Sequence, residues 1–169
     1  MDTSKIISGL QTALQTELNG IQFYRIASEK TEDIKAKSVF KILAEDEARH
    51  FVELKKKYDQ LLLNGTWAKD LTLGNPSSFD GKSPIFSDEL QTRIQDRHFE
   101  MSALSIAALL ESNSVDLYRK MMDEANEDNA RSFFQQLYEW EQKHLAAISK
   151  QMDLLKEEYW AQAKFTPLF

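Results

Sequence analysis

The stretch Glu47-Ala48-Arg49-His50 decides the fold, because a second Glu-x-x-His follows at Glu141-Gln142-Lys143-His144. On a helix, this spacing places the carboxylate and the imidazole one turn apart on the same face. The second motif lies 94 positions after the first, and a further glutamate, Glu17 or Glu111, lies 30 positions before each. The chain is therefore an internal repeat in which each half carries the same three ionisable side chains.

The repeat extends to the apolar residues around these motifs. The same offset of 94 positions relates Leu10 to Leu104, Ala13 to Ala107, Tyr24 to Tyr118, Phe40 to Phe134, Leu43 to Leu137, Leu54 to Ile148 and Leu61 to Leu155. Their spacing of three and four predicts the buried face of helices in a bundle, and Glu17 stands in that face where leucine is expected. The small neighbours Ala13 and Gly20 leave room beside the carboxylate.

Helix start and stop signals divide the chain into two helical pairs. Thr31 is the predicted N-cap of the second helix, which ends at Gly65, and Asn126 is the predicted cap of the fourth. The predicted helices cover residues 3–29, 31–64, 98–123 and 126–162. Short turns make the helices of each pair antiparallel. The fold class expected is all-α, a four-helix bundle in one domain over residues 1–169.

The segment 65–97 interrupts the helical pattern and holds three of the five glycines and two of the three prolines. A connection this long needs a reason. If the halves 3–64 and 98–162 are related by a two-fold axis across the bundle, the third helix starts at the far end. The segment is then a crossover between helices 2 and 3, with Ser87-Asp88-Glu89 as the start of a short helix. Residues 163–169 form a tail.

Composition excludes several function classes. The net charge of −6 argues against a nucleic-acid partner, and the one basic run, Lys55-Lys56-Lys57, is expected on a solvated helix face. With no cysteine, the chain has no disulfide, thiolate metal site, iron–sulfur cluster or cysteine nucleophile. No signal-peptide pattern and no apolar run of membrane-spanning length occurs, so the expectation is a cytoplasmic protein without a membrane partner.

Four glutamates and two histidines on inward faces at matching depth predict a metal centre. Four carboxylates in a dry core repel one another and are costly to desolvate, unless they are protonated or cations lie between them. Two divalent ions would balance the four charges. Oxygen-rich ligation with one nitrogen per ion suits iron or manganese.

With this motif pattern the chain resembles the ferritin-like diiron-carboxylate superfamily, and its rubrerythrin-like branch most closely, over nearly its whole length. The resemblance implies a ferritin-like bundle holding two iron ions, with six ligands: Glu17 and Glu111 as terminal carboxylates, Glu47 and Glu141 as bridges, His50 and His144 as terminal nitrogens. Two departures stand out. Ser114 replaces a further glutamate that rubrerythrins usually carry. The chain also has no cysteine for the rubredoxin domain of rubrerythrins, which implies that electrons come from a separate donor protein or from the oxidised substrate.

Other polar and aromatic residues are assigned more modest roles. Tyr24 and Tyr118 lie two turns after Glu17 and Glu111, and two readings stay open: core tyrosines with a hydrogen-bond partner elsewhere, or contacts to the ligand carboxylates. The remaining residues are expected at the surface (Glu45, Glu139, His98), in packing (Trp140) or outside the site (Glu53).

The function expected is a non-haem diiron oxidoreductase that reduces peroxide or O2. Two alternatives stay open: a ferroxidase that feeds iron storage, and a metal-binding bundle without turnover. A homodimer is also expected, through outer apolar residues and the apolar end of the tail. The residues on which that expectation depends are Ile7, Leu14, Ile21, Phe133, Phe165, Leu168 and Phe169.

Overall fold

A computed structural model describes residues 3–65, 67, 85 and 98–162 of the chain. Its helices are α1 (Thr3–Lys30), α2 (Ile34–Asn64), α3 (His98–Glu124) and α4 (Asp128–Gln162). No strand occurs within these described ranges. α1 packs along α2, α3 packs along α4, and α1 contacts α3. The predicted all-α, ferritin-like four-helix bundle is confirmed, while the predicted short helix at residues 87–89 and the tail lie outside the described residues.

The turn between α1 and α2 differs from the prediction. Asp33, not Thr31, is the N-cap of α2, and its carboxylate accepts a hydrogen bond from the Ala36 N–H at 2.8 Å. Thr31 closes α1 instead, because its N–H still donates to the Ala27 carbonyl at 3.0 Å. The other end of α2 is as predicted: Gly65 has φ 66° and donates its N–H to Leu61, a conformation that favours glycine.

The start of α4 is also shifted from the prediction. The first helical residue is Asp128, and the Arg131 N–H donates to the Glu127 carbonyl at 2.9 Å. Asn126 therefore lies before the capping position and does not cap the helix. Asp128 places a negative charge in the first turn, where the helix dipole favours it.

All fourteen apolar residues of the seven repeat pairs are buried, and they divide between two clusters in a regular way. Leu10, Leu54 and Tyr118 belong to one cluster, whereas their repeat mates Leu104, Ile148 and Tyr24 belong to the other. Each cluster thus draws on all four helices. An approximate two-fold axis across the bundle places the two members of each repeat pair in different clusters, as observed. The ionisable side chains lie between the clusters.

Two buried polar side chains at repeat-equivalent positions contact the segment that connects α2 to α3. The Lys57 ammonium lies 5.2 Å from the centroid of the Trp67 ring, and the Gln151 Oε1 accepts a hydrogen bond from the Ile85 N–H at 2.9 Å. Lys57 is only 2% exposed, so the prediction of a solvated face was wrong for this residue. The faces of Trp67 and Phe133 offer its charge a cation–π environment in place of water.

The apolar residues predicted to cover a dimer interface are mostly covered within the subunit. Ile21 and Phe133 are buried, and Ile7 and Leu14 pack partly against the core. The prediction was wrong for Ile21 and Phe133, because both are buried within the subunit, whereas Ile7 and Leu14 remain half-buried and the dimer itself stays a prediction. None of the described helices combines the length and the apolar character that a membrane crossing requires.

Candidate metal centre

Six ionisable side chains meet between the two apolar clusters, in two groups that could each hold one ion. One group is Glu17, Glu47, His50 and Glu141, and the other is Glu47, Glu111, Glu141 and His144. Within each group, one potential ligand atom per residue lies within 4.8 Å of all the others. Glu47 and Glu141 belong to both groups, so each can reach two ion positions.

Both imidazoles turn Nδ1 toward the carboxylates. The His50 Nδ1 lies 2.9 Å from Glu141 Oε1, 3.3 Å from Glu17 Oε2 and 4.0 Å from Glu47 Oε2. The His144 Nδ1 lies 3.5 Å from Glu47 Oε1, and 3.6 Å from an oxygen of Glu111 and of Glu141. The two nitrogens therefore face the interior of the cluster, and each Nε2 faces away from it.

The cluster is buried, and several of its polar atoms have no hydrogen-bond partner. All six side chains are buried. Among the described residues, the polar atoms without a hydrogen bond include Oε1 of Glu47, Oε2 of Glu141 and Nδ1 of His144, and the histidine-to-carboxylate distances at these atoms are 3.5 and 3.6 Å. Buried polar atoms are rarely left unpaired, and buried charges are paired or coordinate metals. The donor set fits a cation site of oxygen with one nitrogen per ion.

The electrostatics of the metal-free cluster also call for cations. Burial would lower the pKa of His50, but the carboxylates of Glu141 and Glu17 raise it to about 9. Burial and the neighbouring Glu141 charge raise the pKa of Glu111 to about 7. The pKa of Glu47 is raised by burial and by the other carboxylates. Without metal, protons partly neutralise the cluster, and a bound cation would replace them.

Each buried tyrosine donates a hydrogen bond to a glutamate of the other half. The Tyr24 hydroxyl donates to Glu111 Oε1, and the Tyr118 hydroxyl donates to Glu17 Oε1. Of the two readings left open by the sequence, the structure shows contact with the carboxylates of the cluster. Burial, followed by the neighbouring carboxylate charge, raises the pKa of both phenols, so they remain protonated donors.

Gly20 is small for a reason visible in the structure. A Cβ atom at this position would lie 3.2 Å from both Cγ and Oε2 of Glu47, which is tighter than ordinary van der Waals contact. The space beside Glu17 that the sequence predicted is thus occupied by the Glu47 side chain from α2.

Asp46 is the residue of this site that the sequence reasoning missed. It is 1% exposed, and its Oδ2 lies 3.3 Å from His144 Nε2, while its Oδ1 pairs with the Arg49 guanidinium. Its repeat mate is Trp140, which is also buried and whose ring lies 4.9 Å from that of His50, centroid to centroid. The internal repeat does not reveal this position, because the two halves carry different residues here.

The residues predicted outside the site lie outside it wherever the structure describes them. Glu45 and Glu139 are exposed. Glu53 forms an ion pair with Lys56 at 2.6 Å rather than with a cluster residue. The side chain of His98 lies outside the described residues. Ser114, where the resemblance leads one to expect a glutamate, is buried one turn after Glu111.

Comparison with models of known protein families gives a match. A family model described as Rubrerythrin matches residues 9–152, which include every residue of the cluster. Comparisons with curated proteins and with solved structures gave no match.

Proposed function

The chain belongs to the rubrerythrin family, and from that premise we propose that it is a diiron oxidoreductase that reduces peroxide or O2. Glu17 and His50 would hold one ion, Glu111 and His144 the other, and the remaining two glutamates would bridge them. Two iron ions are proposed, with manganese as the alternative, because both accept these ligands. Four carboxylates and two divalent ions cancel in charge, which a buried site requires.

The observation that carries the proposal is the sharing of Glu47 and Glu141 between two four-residue groups. A site for a single ion needs no second group, whereas two ions held side by side need ligands that reach both. Oε2 of Glu141, which has no hydrogen-bond partner among the described residues, supports the same assignment. When bound, the ion pair would supply two electrons to the O–O bond of the substrate.

The surrounding residues would hold the ligands in place and keep water out. Tyr24 and Tyr118 each fix one oxygen of a terminal glutamate, so that the other oxygen stays directed at the cluster. The two apolar clusters close the site on either side along the bundle. We propose that electrons arrive from a separate protein, since the chain has no cysteine to form a rubredoxin-type centre. A cytoplasmic location is part of the proposal.

Ser114 favours a second candidate, ferroxidase activity linked to iron storage. At this position rubrerythrins usually carry a further glutamate, and a serine hydroxyl offers no carboxylate to an ion. Without that carboxylate, peroxide reduction is less well supported than Fe(II) oxidation. Storage also requires a hollow shell of many subunits, so the mass of the assembly separates the two.

The test is anaerobic loading with Fe(II), followed by peroxide or O2. We expect two ions per chain by elemental analysis and a diferric near-ultraviolet absorption that develops faster with peroxide than with O2. Glu47→Ala is the control, because removal of a bridge should abolish the signal while the bundle still folds. A faster reaction with O2 and a cage-sized native mass would favour the ferroxidase. Bound iron that neither oxidant changes would leave a metal-binding bundle without turnover.

A further inference from the structure

The two halves of the cluster differ at one pair of positions that contact the histidines from outside. Position 46 is aspartate and its repeat mate, position 140, is tryptophan. Asp46 on α2 contacts the Nε2 side of His144 on α4, at 3.3 Å. Trp140 on α4 contacts the ring of His50 on α2, with 4.9 Å between centroids and 36° between planes. The two contacts lie at repeat-equivalent positions, but one is made by a carboxylate and the other by an indole ring.

This difference decides what happens to the outer proton of each imidazole. A neutral histidine that offers Nδ1 to a cation carries its proton on Nε2. For His144 that proton meets a carboxylate oxygen of Asp46. For His50, Nε2 is buried and has no hydrogen-bond partner in the part of the chain that the structure describes. A carboxylate acceptor fixes the tautomer and makes the imidazole a stronger donor to a metal, and its loss typically weakens binding.

The Arg49 side chain leaves Asp46 available for this role. Its guanidinium pairs with Oδ1 of Asp46, whereas His144 approaches Oδ2, so the two contacts use different oxygens. The same guanidinium lies 6.0 Å from the centroid of the Trp140 ring. Arg49 therefore holds the carboxylate in place on one side without competing for the oxygen that faces His144.

The two ion positions share their remaining hydrogen-bonding features. Each terminal glutamate accepts a hydrogen bond from a tyrosine, and both positions share the same two bridging carboxylates. Gly20 and Ser114 also differ between the halves, so the variants that test the role of positions 46 and 140 must leave these two residues unchanged.

We propose that the two ion positions are unequal, that the position of Glu111 and His144 fills first and more tightly, and that Asp46 is the positioning residue responsible. The proposal rests on the metal centre of the proposed function. At limiting metal, most chains would then carry one ion at the His144 position. The ion at the His50 position would bind second and leave first.

The test uses Co(II), which reports its ligands by visible absorption. Anaerobic titration of the metal-free protein is followed by absorption and by calorimetry. We expect two binding steps. Glu111→Ala should remove the tight step and Glu17→Ala the weak one, which assigns each step to a position. Asp46→Ala should weaken the tight step by about 10- to 100-fold and leave the weak step unchanged.

Trp140→Asp is the converse variant, because it gives His50 the acceptor that His144 already has. It should tighten the weak step toward the tight one. Trp140→Phe is its matched control, since it removes the indole without adding an acceptor, and it should not tighten either step. A merely structural role of position 140 would weaken binding in both variants. Thermal melting of each metal-free variant checks folding, and if Asp46→Ala fails to fold, Trp140→Asp decides.

Two ions bound with equal affinity would overturn this proposal and leave the metal centre intact. The same holds if Asp46→Ala weakens both steps alike, or if the tight step disappears with Glu17→Ala. A wild-type protein that binds no cation would overturn the proposed function as well.

Discussion

Glu111 combines two roles that a substitution can separate, because its carboxylate both joins the cluster and accepts the Tyr24 hydrogen bond. Glu111→Gln keeps an acceptor for the phenol and removes a charge that the site holds only at a raised pKa. We expect the metal-free variant to melt at or above the wild-type temperature, and one ion position to be lost. Glu111→Ala should melt lower than Glu111→Gln, since it leaves a buried hydroxyl unpaired, at about 1–3 kcal/mol. Equal destabilisation by both variants would contradict this.

The raised pKa values make the stability of the metal-free protein depend on pH. The folded state holds the His50 proton more tightly than the unfolded chain does. Its stabilising contribution is complete below the ordinary pKa of 6.5 and is lost as pH rises through about 9. Glu111 acts in the same direction at lower pH, up to about 7.

We therefore expect the melting temperature, measured with a chelator present, to fall between about pH 6.5 and 9. The loaded protein should show a smaller fall, because the cations have already displaced these protons. Release of protons into a weak buffer when Co(II) is added at neutral pH checks the same exchange. A melting temperature that rises over this range would show that the carboxylates do not hold the histidine proton.

At the residue scale, the six cluster residues could be predicted because the repeat presents each of them twice. Asp46 could not be found in that way, since its mate is Trp140. Its role depends on contact between α2 and α4, which lie far apart in sequence, and no local pattern encodes that contact.

At the scale of a helix, Gly20 lowers the stability of α1 but leaves space for the Glu47 side chain. Gly20→Ala should stabilise α1 by up to about 1 kcal/mol, because alanine is the better helix former. The added Cβ lies 3.2 Å from the Glu47 carboxylate and must displace it. We expect the metal-free variant to melt higher and to bind Co(II) more weakly. Ser114→Ala, at the repeat-equivalent position, adds no atom and should weaken binding less. Unchanged affinity in Gly20→Ala would mean that Glu47 adjusts freely.

The helices themselves were predictable to within a few residues, because apolar spacing and Gly65 mark them clearly. Their starts were less so. Thr31 and Asp33 are both good capping residues. The hydrogen bond from the Thr31 N–H to the Ala27 carbonyl shows that Thr31 still belongs to the end of α1. Lys57 was misplaced for a related reason: its burial depends on Trp67, a residue of the crossover whose position no helical pattern reveals.

For the whole molecule, a homodimer remains the prediction, and the structure redirects it to α3. Ile106 and Leu109 on α3 are 47% and 61% exposed, whereas their repeat mates on α1 are the polar Thr12 and Gln15. We expect a dimer by analytical ultracentrifugation, and monomers when Ile106 and Leu109 are both replaced by glutamate. The matched control places glutamate at Thr12 and Gln15, which adds the same charge to the other half and should leave the dimer intact. A wild-type monomer would show the prediction to be wrong.

The crossed bonds from Tyr24 to Glu111 and from Tyr118 to Glu17 bear on the ancestry of the chain. Each tyrosine serves the glutamate of the opposite half, so a chain of half this length, paired with an identical copy about a two-fold axis, would already form both bonds and both four-residue groups. Duplication and fusion of such a gene would preserve the centre from the first generation. In a dimer of identical halves every substitution changes both ion positions, whereas in the single chain the two positions can carry different side chains, as Asp46 and Trp140 do.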